Sequence, residues 1–258
     1  MKLRVAQISI ILVTLTISGC FDPPEFSEIP YIEYESLRFV EIPADYVIPD
    51  GGTRPVDSLV LSFSIEDGNG DVGLRDNESF TPYHSFNLII DSRDSLVTYT
   101  GDFEPPFYTI DPLGTREPFS EEDNRPGYNC TNYIISSFSD LGVGQDTFYI
   151  QQNEFHYNLH VSILRKRNGT YSPVNYAEAS GNADCALSSF NGRIPVFDES
   201  NIGRTLKGDI SYSMRSSGHK IVLARDTFKV QFYLYDRALH KSNVVESPDL
   251  TLPDIISD

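Results

Sequence analysis

The chain has 258 residues, a formal net charge of −17 at pH 7 and no tryptophan. Its length suits one large domain or two of ordinary size. An acidic chain of this kind would be repelled by a phosphate backbone, so we expect no nucleic-acid partner. The acidity also suits the binding of divalent cations, which prefer oxygen ligands.

The first twenty residues have the features of a bacterial lipoprotein signal. Lys2 and Arg4 precede an apolar segment that is too short to span a bilayer, and small residues follow that segment. The sequence "ISGC", which ends at Cys20, resembles the lipobox, where cleavage precedes a cysteine that receives a diacylglyceryl group. We predict that residues 1–19 are a signal peptide and that the lipid on Cys20 is the membrane anchor. The alternative is an ordinary signal peptide with a chance cysteine.

Strand patterns follow a short tether. Residues 20–30 are rich in proline and acids, which predicts an extended link between the lipid and the domain. In residues 58–67, apolar and polar side chains alternate with the period of two that is typical of a strand with one buried face. Residues 228–235 repeat this alternation, and the Asn-Gly pair at 168–169 indicates a hairpin.

These patterns predict an all-β fold. Many short strands are separated by turn signals, and the chain shows no convincing long amphipathic helix, which favours an immunoglobulin-like β-sandwich. We predict that this domain spans residues 31–252, with a long elaborated insertion at about 100–205 and a C-terminal tail at 253–258. Residues 101–130 are rich in proline, glycine and acids, so we expect them to be irregular. One core built from both ends is favoured, and two separate sandwiches are the alternative.

A loop with the sequence "DGNGDVGLRDNE", residues 67–78, follows the strand at 58–67. Calcium takes six to eight oxygen ligands, and acids and amides at alternating positions of a tight loop can converge on one point. We therefore predict a structural calcium site, with magnesium less favoured because it usually keeps several waters. The predicted ligands are Asp67, Asn69, Asp71, Gly73 through its carbonyl, Asp76 and Glu78. A plain polar turn is the alternative, since aspartate, asparagine and glycine are also common turn residues.

The stretch "DGNGDVGL", with the lipobox and the strand before it, is similar to uncharacterised outer-membrane lipoproteins of Bacteroidota-type bacteria. Those proteins often carry a "DGDGDIGL"-like stretch in an immunoglobulin-like domain. The resemblance covers about a third of the chain. It implies an outer-membrane location and a fold class, with the leaflet and the activity left open. Lipoproteins of this type are often accessory subunits of large outer-membrane assemblies.

The two cysteines beyond Cys20 are Cys130 and Cys185. An exported chain enters an oxidising compartment, so we predict that they form a disulfide. The bridge would close a loop of about 55 residues and contribute about 4 kcal/mol to stability. The alternative is two buried free thiols, and a zinc site would need further ligands at closer spacing.

No nucleophile or phosphate-binding motif supports an enzyme, because the chain has no GxSxG sequence and no phosphate loop. We predict a non-enzymatic interaction or scaffold subunit of a larger envelope complex for transport, secretion or barrel assembly. The alternative is a surface glycan-binding accessory lipoprotein for nutrient uptake, with Tyr233 and Tyr235 as a ligand platform. Tyrosines on a strand also commonly cover a second sheet face, which is the structural explanation for this pair.

Overall fold

A computed structural model describes residues 26–43, 56–139, 142–176, 189–197 and 203–256. The predicted signal peptide, Cys20 and Cys185 lie outside these ranges. The described residues form an all-β fold of twelve strands in three antiparallel sheets. None of the helices in these ranges has the length and apolar character that a membrane span requires.

The strands are β1 (Tyr31–Val40), β2 (Ser58–Asp67), β3 (Phe86–Ile90), β4 (Phe107–Ile110), β5 (Arg116–Ser120), β6 (Tyr133–Phe138), β7 (Val143–Gln152), β8 (Leu159–Arg167), β9 (Thr170–Pro173), β10 (Leu206–Arg215), β11 (Phe228–Leu234) and β12 (Val245–Glu246). A short α-helix, α1, spans His219–Leu223, and 3₁₀ helices span Glu154–His156 and Leu252–Ile255. The sheet orders are β1-β2-β10, β12-β11-β8-β9 and β5-β4-β3-β7-β6.

The three-stranded and four-stranded sheets share one hydrophobic core. Side chains along β2 and β11 alternate between buried and partly exposed, as the period of two predicts. Phe63 of β2 and Phe232 of β11 are fully buried, and their ring centroids lie 5.2 Å apart. Buried side chains of β1 and β8 belong to the same cluster. Segments from both ends of the chain therefore build this core.

The five-stranded sheet lies between β2 and β8 in the chain and has a smaller buried cluster of its own. The members of this smaller cluster are Ile89, Val97, Phe107, Tyr133 and Tyr149. The β4–β5 hairpin falls inside residues 101–130, so the expectation of irregular structure there is wrong. Pro118 is tolerated because β5 is an edge strand, where a missing N–H leaves no ladder bond unmade.

Two predicted boundaries differ from the observed packing. β8 and β9 fall within the predicted insertion at about 100–205, yet they pair in the sheet that contains β11. The predicted tail at 253–258 includes Ile255, which is buried, and Ile256, which forms a parallel bridge to Phe39 of β1. Residues up to 256 therefore belong to the folded structure.

Polar contacts fix the five-stranded sheet to the larger core. The Asn153 side-chain amide donates to the carbonyls of Pro82 and His84, at 2.6 and 2.7 Å. Arg193 donates to the carbonyls of Tyr83 and His156, at 3.1 and 2.8 Å. These bonds hold the chain where it enters and leaves the inserted sheet.

Candidate metal site

Three aspartates form an acidic group at one end of the larger core. Oxygens of Asp67, Asp71 and Asp236 all lie within 4.8 Å of one another. Asp67 has no exposed surface and Asp236 is 2% exposed, while Asp71 is partly buried. The Oδ1 atoms of Asp67 and Asp71 are buried and have no hydrogen-bond partner. A buried carboxylate oxygen without a donor is costly, and a bound cation would supply the missing partner.

The strand pattern explains why Asp67 and Asp236 meet. Alternate residues of β2 from Leu59 to Ile65 face the core, and Asp67 continues that series. Alternate residues of β11 from Phe228 to Leu234 also face the core. Asp236, two residues after Leu234, continues that series. Because side chains on a strand repeat every two residues, both acids point inward where a core strand ends.

The third acid is brought back by the loop itself. The Asp71 N–H donates to Asp67 Oδ2 at 3.0 Å and to Asn69 Oδ1 at 3.4 Å. Such side-chain acceptors close tight turns in place of a backbone carbonyl. Further along, Gly73 has a φ of +128°, and a Cβ added there would lie 2.7 Å from Val196 Cα. The loop therefore requires glycine at this position for both conformation and space.

The electrostatics of the acidic group favour a cation. Burial, together with the neighbouring Asp71 carboxylate, raises the pKa of Asp67 to about 6. Burial and the Asp236 carboxylate likewise raise the pKa of Asp71. His240 orients Asp236, since its backbone N–H lies 2.7 Å from Oδ1 and its Nδ1 lies 2.9 Å from Oδ2. Hard oxygen donors of this kind suit calcium, and they also accept magnesium or manganese.

Of the four acids predicted as ligands, Asp67 and Asp71 belong to the group. Asp76 is exposed. Glu78 is buried but binds Arg237, whose two terminal nitrogens lie 2.9 and 2.6 Å from its carboxylate oxygens. These hydrogen bonds lower the pKa of Glu78 to about 2. The structure therefore places Glu78 in an ion pair, where its charge is already compensated.

The other two predicted ligands also have partners. Asn69 Oδ1 accepts from the backbone of the turn, and the Gly73 carbonyl accepts from Arg237 at 3.1 Å. Asp236 was missed because loop spacing cannot reveal a residue far along the chain. One signal in the sequence was available: two strands with alternating apolar residues each end in an aspartate, in "FSIED" and in "FYLYD".

Tyr233 and Tyr235 do not form the exposed platform that the glycan-binding alternative requires. Tyr235 is 8% exposed, and its hydroxyl donates to Glu154 Oε2 at 3.1 Å. Tyr233 stacks on His160 with an interplanar angle of 4°, and Lys241 Nζ lies 3.7 Å from its ring centroid. Neighbouring side chains therefore cover the rings that a sugar would need.

Cys130 is disulfide-bonded. Its pairing with Cys185 stays a prediction, because Cys185 lies outside the residues that the structure describes.

Comparisons with known proteins give no relative: no protein-family model matches the chain, and neither the curated proteins nor the solved structures provide a match. Functional conclusions therefore depend on the residues of the chain itself.

Proposed function

We propose that this chain is a non-enzymatic interaction subunit of the outer membrane, anchored through a lipid on Cys20. A calcium ion bound by Asp67, Asp71 and Asp236 stabilises its core, for which we propose an immunoglobulin-like arrangement. The observation that carries the calcium assignment is the fully buried, unpartnered Oδ1 of Asp67 within an acidic group. Asp67 has no exposed surface and Asp236 is almost completely buried, so these two carboxylates offer little access to a substrate and suit a structural role.

The calcium site would join three parts of the molecule. Asp67 ends a strand of one core sheet, and Asp236 follows a strand of the other. Directly after Asp67 in the chain, the N–H of Gly68 donates to the carbonyl of Ser27 at 2.7 Å, and Ser27 lies in the segment that leads from the predicted lipid. A cation here would therefore fix the two sheets at the point where the tether reaches the domain.

Glycan binding, the alternative function, is not proposed. Its predicted platform is lost because Tyr235 is buried and Tyr233 is covered by His160 and Lys241. The buried acidic group favours a rigid module that presents its surfaces to a protein.

Calcium titration of the full chain tests the metal site. We expect calcium to bind with a stoichiometry of one and to raise the melting temperature, and chelation to reverse the effect. In Asp71→Asn, calcium affinity should fall by about tenfold or more, because one ligand charge is removed. Without calcium this variant should be as stable as the wild type or more stable, because the carboxylates repel one another.

Asp209→Asn is the matched control. Asp209 is an exposed aspartate of β10, so this change removes one charge without touching the acidic group. Calcium should stabilise this variant as it does the wild type. If calcium, magnesium and manganese all leave the melting temperature of the wild type unchanged, the structural metal site does not exist.

Purification in mild detergent tests the interaction role. The tagged, lipidated chain should recover an outer-membrane complex in a fixed stoichiometry, identified by mass spectrometry. Replacing Cys20 with serine should release the protein from the membrane and reduce this recovery. If the lipidated wild type is recovered alone, the chain is not a stable subunit.

A further inference from the structure

The five-stranded sheet carries an open groove that the calcium site does not explain. Its volume is about 1010 Å³, at the upper end of the range of ligand pockets. The apolar lining includes Leu88, Ile90, Leu96, Ile110, Val143 and Phe148. Four of these residues alternate along their strands with members of the small buried cluster, namely Leu88 and Ile90 of β3, Ile110 of β4 and Phe148 of β7. The groove therefore lies on the opposite face of the sheet.

The walls of the groove are held by hydrogen bonds. On one side, the buried Asp91 carboxylate accepts from the N–H groups of Ser95 and Glu104, at 2.9 and 3.2 Å. On the other side, Asp111 Oδ1 accepts from the N–H groups of Leu113 and Thr115, at 2.9 and 2.7 Å. Because these turns are already ordered, a ligand would bind without a large cost in conformational entropy.

An ion pair connects the two walls. Asp94, at the tip of the loop after β3, lies 2.5 Å from Arg116 at the start of β5. The guanidinium of Arg116 also lies 3.6 Å from the ring centroid of Tyr108. The guanidinium of Arg116, at the edge of the groove, is therefore already paired with a carboxylate and stacked on an aromatic ring.

The remaining charges at the groove are acidic. Asp111 and Asp146 also line it, and each uses Oδ1 to accept a backbone N–H of its own turn or strand. Within the described ranges, the Oδ2 atom of each makes no hydrogen bond, so both carboxylates remain available to a ligand. An apolar floor with a net negative rim is complementary to an apolar ligand that carries basic groups.

We propose that this groove binds a short apolar peptide segment flanked by lysine or arginine, presented by a protein partner. The proposal rests on the interaction role above, which requires a surface for the partner. The acidic rim argues against a phospholipid, because its phosphate would meet Asp111 and Asp146. Burial of the apolar residues would supply affinity, and the two carboxylates would supply selectivity for basic flanks.

Peptide binding to the full lipidated chain in phosphatidylcholine nanodiscs tests the proposal, with empty nanodiscs subtracted. The fluorescent probe is Ile-Val-Phe-Ile with two lysines on each side. One comparison probe replaces the lysines with glutamates, and another replaces the apolar residues with serine and threonine. We expect the first probe to bind at least about tenfold more tightly than either of the others.

Variants of the groove give the second part of the test. Leu96→Arg places a charge on the apolar floor and should weaken binding of the lysine probe by about tenfold or more. Asp111→Asn combined with Asp146→Asn should weaken it several-fold at low salt, and the loss should shrink at high salt. The control combines Glu33→Gln with Asp209→Asn on the three-stranded sheet. It also removes two negative charges, and it should leave binding unchanged. Ile110→Arg is the second floor variant, used if circular dichroism shows that Leu96→Arg is unfolded.

Equal binding of the three probes, or undiminished binding to a folded floor variant, would overturn the groove proposal. The detergent purification separates this result from failure of the interaction role. If Leu96→Arg loses the probe but still recovers the complex, the partner docks elsewhere and the groove assignment is wrong. If the wild type binds the probe but recovers no complex, only the subunit role fails.

Discussion

Glu78, which is buried, and Arg237, which is partly buried, form an ion pair beside the acidic group. The Glu78 side chain is 5% exposed, and its carboxylate also accepts from the Arg75 N–H at 2.8 Å. Removing one partner of a buried pair leaves the other charge uncompensated, so such a pair is sensitive to mutation. Its role is to anchor the loop at 67–78 to the turn that follows β11.

The pH dependence of stability should report this pair. The Arg237 hydrogen bonds lower the pKa of Glu78 from its ordinary value to about 2. A lowered pKa in the folded state means that the stabilisation is complete above about pH 4.5 and is lost as the pH falls toward about 2. We expect Glu78→Gln to reduce the free energy of unfolding at pH 7 by about 3 kcal/mol. The free energies of unfolding of the wild type and the variant should converge near pH 2. Denaturant unfolding at a series of pH values, in calcium-free buffer, measures this difference.

Glu121→Gln is the control for this measurement, because Glu121 is exposed. Its stability should follow that of the wild type at every pH. A Glu78→Gln protein as stable as the wild type at pH 7 would show that the ion pair contributes nothing to the fold.

The strands with a strict period of two were predictable from the sequence. β2 occupies the segment that its alternation predicts, and β11 lies within its predicted segment. These strands have one buried face, so the apolar residues in their sequences identify the face that packs in the core. β4 and β5 were missed because they are short and flanked by prolines. Pairing of β4 with β3, and of β5 with β4, decides their conformation.

The candidate site was predictable only where it is local. Asp67 and Asp71 lie in one turn, so their spacing in the loop was informative. Asp236 reaches them through the packing of two sheets, which no loop spacing encodes. Counting positions along the loop selected Glu78 instead, but that residue faces the guanidinium of Arg237.

The described residues form two separate hydrophobic clusters. The larger one unites the sheets of β2 and β11, and the smaller one lies within the five-stranded sheet. The connection between the sheets includes polar contacts of Asn153 and Arg193 with backbone carbonyls. Units with separate cores can open independently, so their stabilities need not be equal.

Hydrogen exchange should resolve these two units. Phe107 of β4 is 1% exposed in the smaller cluster, so Phe107→Ala should cost that unit about 3–5 kcal/mol. We expect faster amide exchange in β3 to β7, with protection in β2, β8 and β11 unchanged. Phe232→Ala, the matched change in the larger cluster, should accelerate exchange in β2, β8 and β11. If Phe107→Ala accelerates exchange equally in all twelve strands, the two clusters unfold as one cooperative unit, and the groove sheet has no independent stability.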